Sequence, residues 1–310
     1  MCISCDLLTG LDLDEIAATE PPTWALHLPQ DLAGLSLTGP VAPTVARLPT
    51  APARPPGRPG PLPSSAASLA ADALAAYERY RVAAAQGFVQ REQCWQWVLP
   101  SPFSWLSRNL PEAEVAEQLA PLQRLLREAL ERVTAVVAAR DLALQWDLPS
   151  EAALWESRGR DLSAGRRLAG KVLEGLAELA AYLPADAHLG FHLCRHDADG
   201  RWAPDPGDAM QVSHLAGALL ASVDRNVDFL HLPAARDDVD ADWYAPLTRL
   251  QPWPDTALHV GVAWPGKTVS QVRERLQVLH AMLPRALAAP ACSADTVAAR
   301  IALETALAAS

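Results

Sequence analysis

The chain has 310 residues, with 26 Lys and Arg against 36 Asp and Glu, for a net charge of −10. Half of it is hydrophobic and 20% is charged, a balance that excludes disorder over most of the length. Five cysteines are too few for a small disulfide scaffold, and the acidic balance argues against a nucleic-acid backbone as partner.

No run reaches the ~18–20 apolar residues of a membrane span, and the N-terminus lacks a basic segment followed by an apolar one. The expected location is therefore the cytoplasm, with no membrane partner. In a reducing compartment the cysteines are expected as free thiols or metal ligands.

Residues 1–63 differ from the rest. Nine of the 27 prolines fall between Pro40 and Pro63. Proline lacks an amide donor and fixes φ, so this stretch reads as an extended or poorly ordered segment ahead of a folded domain spanning 64–310. Before it, Trp24–Leu28 can form one short strand.

From Ser64 onward helix and strand alternate. Ala66–Ala85 is alanine-rich and helical. Cys94–Leu99 reads as a strand ended by Pro100. Glu112–Arg140 carries Val115, Leu119, Leu122, Leu126, Leu130, Val133 and Val137 at helical spacing, with Pro121 as a point of division or kinking. Leu142–Asp147 is a strand, and Ser163 can cap a helix that Pro184 stops. His188–Cys194 is a strand, Ala209–Val223 a helix and Val227–Leu232 a strand. After the strand Ala257–Ala263, Thr268 and Gln271 form a capping-box pair that opens another helix. A short strand at Leu287–Ala291 and a terminal helix over Asp295–Ala309 complete the order.

Strands alternating with helices predict a parallel sheet covered by helices. Six strands follow residue 90, and one or two more in the N-terminal third would make eight. The choices are a (β/α)8 TIM-type barrel with a degenerate N-terminal part or an open doubly wound sheet. No glycine-rich phosphate loop follows any strand, which weakens the nucleotide-binding open sheets.

The residues able to do chemistry gather at strand ends. His192 and Cys194 alternate onto one face of their strand and are both good zinc ligands. Cys292 follows Pro290 at the end of the last strand. Gln145 and Asp147 share a face, with Trp146 opposite. Asp147 can take a substrate ammonium, act as a general base, or simply cap the next segment. His231 is either a core histidine or a ligand from the next strand. Cys94 reads as packed, Cys2 and Cys5 as a weak CxxC, and His214, His259 and His280 as structural. His196, Asp197 and Asp199 fall in a solvated loop.

Read together, six segments resemble the barrel superfamily of cobalamin-independent methionine synthase and uroporphyrinogen decarboxylase. They are Gln96–Pro102, Leu142–Glu151, Leu189–Asp197, Val227–Asp238, Trp243–Leu250 and Pro290–Cys292. Their order is most similar to a methionine-synthase-like branch of bacteria and fungi. The resemblance implies a zinc ion held by His192, Cys194 and Cys292. The family's glutamate ligand would fall near Pro233, and His231, two residues earlier on the same face, is a candidate replacement. Asp147 matches the family aspartate beside the substrate amino acid. Trp264 stands where the family has a proton-shuttling histidine. The duplicated pterin-binding domain of the full-length enzyme has no counterpart.

The implied activity is a zinc-dependent, thiol-directed methyl or alkyl transferase acting on a small-molecule thiol and a methyl donor. One alternative is a non-catalytic degenerate barrel that binds a metal or partner. The other is a metal-free lyase of the uroporphyrinogen decarboxylase kind, for which Arg195 and Arg236 would be the available cationic clamps.

Overall fold

The structure is a computed structural model. It describes residues 2–4, 62–87, 89, 93–157, 164–193, 209–235, 240–250, 252, 255–264, 266–291, 303 and 305–307. The proline-rich segment up to residue 61 and the Trp24–Leu28 strand lie outside the described residues.

Seven strands form one parallel sheet. They are β1 (Cys2–Ser4), β2 (Cys94–Pro100), β3 (Leu142–Asp147), β4 (His188–His192), β5 (Phe229–Pro233), β6 (Ala257–Ala263) and β7 (Leu287–Pro290). Their spatial order is their sequence order, β1 to β7. A doubly wound sheet needs a reversal of order, and none occurs here. With crossovers of one hand, this order puts every helix on the same side of the sheet. That is the winding of a (β/α)8-type barrel. Among the described residues β7 does not pair with β1, so the described sheet is not closed.

The helices are α1 (Ala66–Ala85), α2 (Pro102–Ser107), α3 (Glu112–Thr134), α4 (Pro149–Ser157), α5 (Ala164–Ala181), α6 (Ala209–Ser222), α7 (Ala241–Tyr244) and α8 (Val269–Met282). None is long and apolar enough to cross a membrane. Helix α3 keeps Pro121 inside it and stops at Thr134, six residues before the expected end. A cluster of β-branched residues, Val133, Thr134, Val136 and Val137, sits where it stops. Ala138 is already extended there. Of the terminal helix, residues 303 and 305–307 are described and helical. The capping box of Thr268 and Gln271 opens α8 as expected.

Register assigns the two faces of the sheet. Trp95, Leu144, Trp146, Leu189, Phe191 and Leu230 alternate onto one face and are almost fully buried. Helix α1 covers that face, with the Tyr77 ring 5.4 Å from Trp95. The opposite face carries Gln96, Gln145, Asp147, His188, His192, His231 and His259. One face is therefore a hydrophobic core and the other a polar surface turned away from the helices.

Cys94 corrects the expectation of free thiols. It is buried, 5% exposed, and disulfide-bonded. It opens β2 level with Cys2 of β1.

Candidate functional site

The site lies at the carboxyl ends of β3, β4 and β5. Backbone bonds continue past the strand ends and hold the rim. Ser101 N–H donates to Asp147 O (2.8 Å), Leu148 N–H to His192 O (2.9 Å), and Leu193 N–H to His231 O (2.9 Å). The chemistry-bearing residues thus stand on fixed backbone, which a preorganised site needs.

Asp147, His192, His231 and His259 are neighbours across β3, β4, β5 and β6 at one level of the polar face. A hydrogen-bond chain feeds this row from β2. Gln96 Nε2 donates to Gln145 Oε1 (2.6 Å), and Gln145 Nε2 donates to Asp147 Oδ1 (2.8 Å). The same carboxylate oxygen meets His192 Nδ1 at 3.1 Å. The His192 side chain is 8% exposed and that of Asp147 30%. A carboxylate can only accept, so Nδ1 carries the proton and the neutral ring has its lone pair on Nε2.

His231 stacks on His192, with ring centroids 4.4 Å apart and planes 12° from parallel. A metal ion binds imidazole nitrogen close to the ring plane. Two nearly parallel, stacked planes share no such point, so His192 and His231 as they stand do not converge on one ion. The ring of His231 leans instead toward β6 and the end of β7. Its Nε2 lies 3.5 Å from where a Cβ on Gly261 would sit, and that point is 3.2 Å from Ala291 Cα. His259 faces the edge of Phe229, centroids 6.4 Å apart at 88°.

Among the described residues no group of three or more His, Cys, Asp and Glu is placed to hold a metal. The two cysteines expected as ligands, Cys194 and Cys292, lie outside the described residues, as do Arg195, His196, Asp197, Asp199 and Arg236. The chain leads to each cysteine from a fixed residue, Leu193 and Ala291. Both are buried, and Ala291 N–H donates to Ala263 O at 2.7 Å.

Trp264 is buried and donates its indole N–H to Ala234 O at 3.2 Å. It packs the rim and offers no titratable group. Pro233 ends β5 opposite Gly261, and neither side chain has a polar atom. His188 and Asp228 pair at the opposite ends of the strands, 3.0 Å apart, where Asp228 also accepts from Leu189 N–H. Burial opposes ionisation of Asp228, but the bonds from His188 and Leu189 outweigh it and hold the carboxyl below its usual range. That pair staples β4 to β5 away from the rim, where stability is the expected role.

Sequence reasoning missed Glu151. It sits in the first turn of α4, is 2% exposed and accepts from the hydroxyls of Ser101 and Ser104. Burial without a counter-charge pushes its carboxyl up to about 7, against the opposing pull of those hydrogen bonds. A glutamate two residues after the proline that opens a helix ordinarily reads as a solvated first-turn charge, which hid it. His259, expected to be structural, stands level with His231 on the same face of the sheet. Outside the rim, a groove of about 900 Å³ runs between α6 and residues 245–252, lined by Trp155, Met210, His214 and Arg249 among others. None of the rim residues lines it.

No protein-family description matches the chain, and no curated protein matches it. Solved structures do. One is a candidate vitamin-B12-independent methionine synthase from Listeria monocytogenes, 18% identical with a TM-score of 0.47, matched over 72% of this chain and 66% of that one. Another is a B12-independent methionine synthase from Shewanella sp. W3-18-1 in complex with selenomethionine. It is 13% identical with a TM-score of 0.48, matched over 70% of this chain and 62% of that one. The chain thus spans a little under two thirds of the length of each.

Proposed function

We propose that the chain is a zinc-dependent, thiol-directed methyl or alkyl transferase whose metal would be held by His192, Cys194 and Cys292. The observation that carries this is the Asp147–His192 bond at the strand ends. A carboxylate on Nδ1 fixes the ring and its tautomer and leaves Nε2 as the donor, the arrangement that supports ligating histidines. The set of one nitrogen and two sulfurs suits zinc, and three protein donors are the number that leaves a tetrahedral ion a place for substrate. His231 could join them only after turning out of its stack on His192.

Zinc, when bound, stabilises a substrate thiol as its thiolate, the nucleophile that takes a methyl group. The chain's own residues do the rest. Asp147 Oδ1 holds His192, and the part-exposed carboxylate would also accept from a substrate ammonium. Gln145 and Gln96 keep that carboxylate from rotating. The buried Trp264 closes the rim against water between β5 and β6.

Cobalt(II) substitution tests the reading. Cobalt-loaded protein should show a sulfur-to-cobalt charge-transfer band that weakens in Cys194→Ser and in Cys292→Ser. The band should grow when a small thiol is added. A cobalt complex without sulfur bands contradicts the reading. A metal-free acid–base site is the second reading, favoured by the stacked His192 and His231 rings, which need no ion. It predicts catalysis that is insensitive to chelator.

A further inference from the structure

Glu151 takes no part in the chemistry above, yet it joins the two loops that leave β2 and β3. We propose that Ser101, Ser104 and Glu151 form a protonation-dependent latch that ties these loops together and fixes the backbone of Asp147. The latch needs neither zinc nor methyl transfer.

The three residues make a closed network. Ser101 is the N-cap of α2, and its Oγ accepts from Ser104 N–H at 2.9 Å. Ser104 Oγ accepts from Ser150 N–H at 3.0 Å. Each hydroxyl has one proton, and each gives it to Glu151: Ser101 to Oε1 and Ser104 to Oε2, the latter at 2.5 Å. Ser101 N–H in turn holds Asp147 O. The two serines are fully buried and Glu151 nearly so.

Proton counting gives the latch two states. As a carboxylate, Glu151 accepts both hydroxyl protons and every bond closes. As a neutral acid, it brings a third proton to two serine oxygens that already accept from amides. One hydroxyl must then give up Glu151 and find another acceptor in a buried space. The tie between α2 and α4 loosens, and with it the hold of Ser101 on Asp147.

Among the described side chains no nearby charge overrides this choice. Helix α2 has no titratable side chain, and Arg108 caps its far end. Glu112, Glu114 and Glu117 on α3, Lys171 and Glu174 on α5, and His214 on α6 are all exposed. Asp147 is turned to Gln145 and His192 on the polar face. The influences on Glu151 are burial, the two hydroxyls and backbone amides. Burial prevails, so the two states exchange near neutral pH.

The sign follows from linkage. The folded carboxyl is raised from 4.5 to about 7. Between those values the folded chain keeps a proton that the unfolded chain has lost, so stability falls as pH rises through the window and is flat above it. Glu151→Gln should remove this slope.

The test is a carboxyl-carbon NMR titration of the full chain, with the Glu151 signal assigned by its loss in Glu151→Gln. Glu151 should titrate well above the ordinary carboxyl range. The amides of Ser104 and Ser150 should shift with the same midpoint and exchange faster with solvent below it, and neither change should occur in Glu151→Gln. Ser104→Ala removes a donor to the carboxylate and should raise the midpoint further. A Glu151 midpoint near 4.5 overturns the proposal. So do amides that ignore its titration, or a midpoint unmoved by Ser104→Ala.

Discussion

At the scale of single residues, the side chain that controls the site is Asp147, because two donors share its Oδ1 and one of them is His192. Replacing it by Asn keeps size but exchanges an acceptor for an amide that can donate. The His192 proton should then move from Nδ1 to Nε2, as in other imidazoles that lose a carboxylate partner. Nitrogen NMR of the ring reads the tautomer directly, and zinc affinity should fall by about 10–100-fold. An unchanged tautomer in Asp147→Asn contradicts the role given to this bond. The alternation of strand side chains was enough to put Gln145 and Asp147 on one face and Trp146 on the other. It could not show that Asp147 is committed to His192, because that contact crosses 45 residues of sequence. Glu151 stayed hidden for a related reason. Its hydroxyl partners come from another loop, and a glutamate with no cation in sight gives no sequence signal.

At the scale of elements, spacing located most helices and all six strands after residue 90. The apolar period of 3.6 or 2 is a local property, and burial on one side enforces it. Short elements escaped. Helices α2, α4 and α7 have six, nine and four residues, too few for a periodic stripe to stand out. The edge strand β1 has three residues and gains its order from pairing with β2. The strand at His188 was expected to reach Cys194 but ends at His192. Two glycines separate packing that can yield from packing that cannot. A Cβ on Gly190 would lie 2.1 Å from the Phe229 ring, whereas one on Gly175 would meet the mobile amide end of Gln123. Gly190→Ala should therefore destabilise the chain by roughly 1–3 kcal/mol, the usual range for overpacking. Gly175→Ala, inside α5, should cost far less, because helix propensity favours alanine over glycine there. Equal denaturant midpoints for the two variants would contradict the packing described for β4 and β5.

At the scale of the whole molecule, the sheet separates two jobs. Its helix-covered face supplies the buried tryptophans and leucines that stabilise the fold, and its other face holds amides, a carboxylate and imidazoles. The sequential strand order makes this separation possible, since helices on one side leave the other side free for polar groups. Element order left a barrel or an open sheet as the choices, and the family resemblance pointed to the barrel, which the sequential strand order bears out. The disulfide at Cys94 was not anticipated, because cysteine pairing depends on the tertiary fold and no spacing rule supplies it. The zinc site proposed above joins the ends of β4 and β7 around the Asp147–His192 pair. Its most direct test is elemental analysis of the full chain purified without chelator, beside His192→Ala and Cys194→Ser. About one zinc per chain, lost in both variants while their folds persist, is the predicted result. A wild-type chain that binds no zinc, or variants that keep it, would contradict the account.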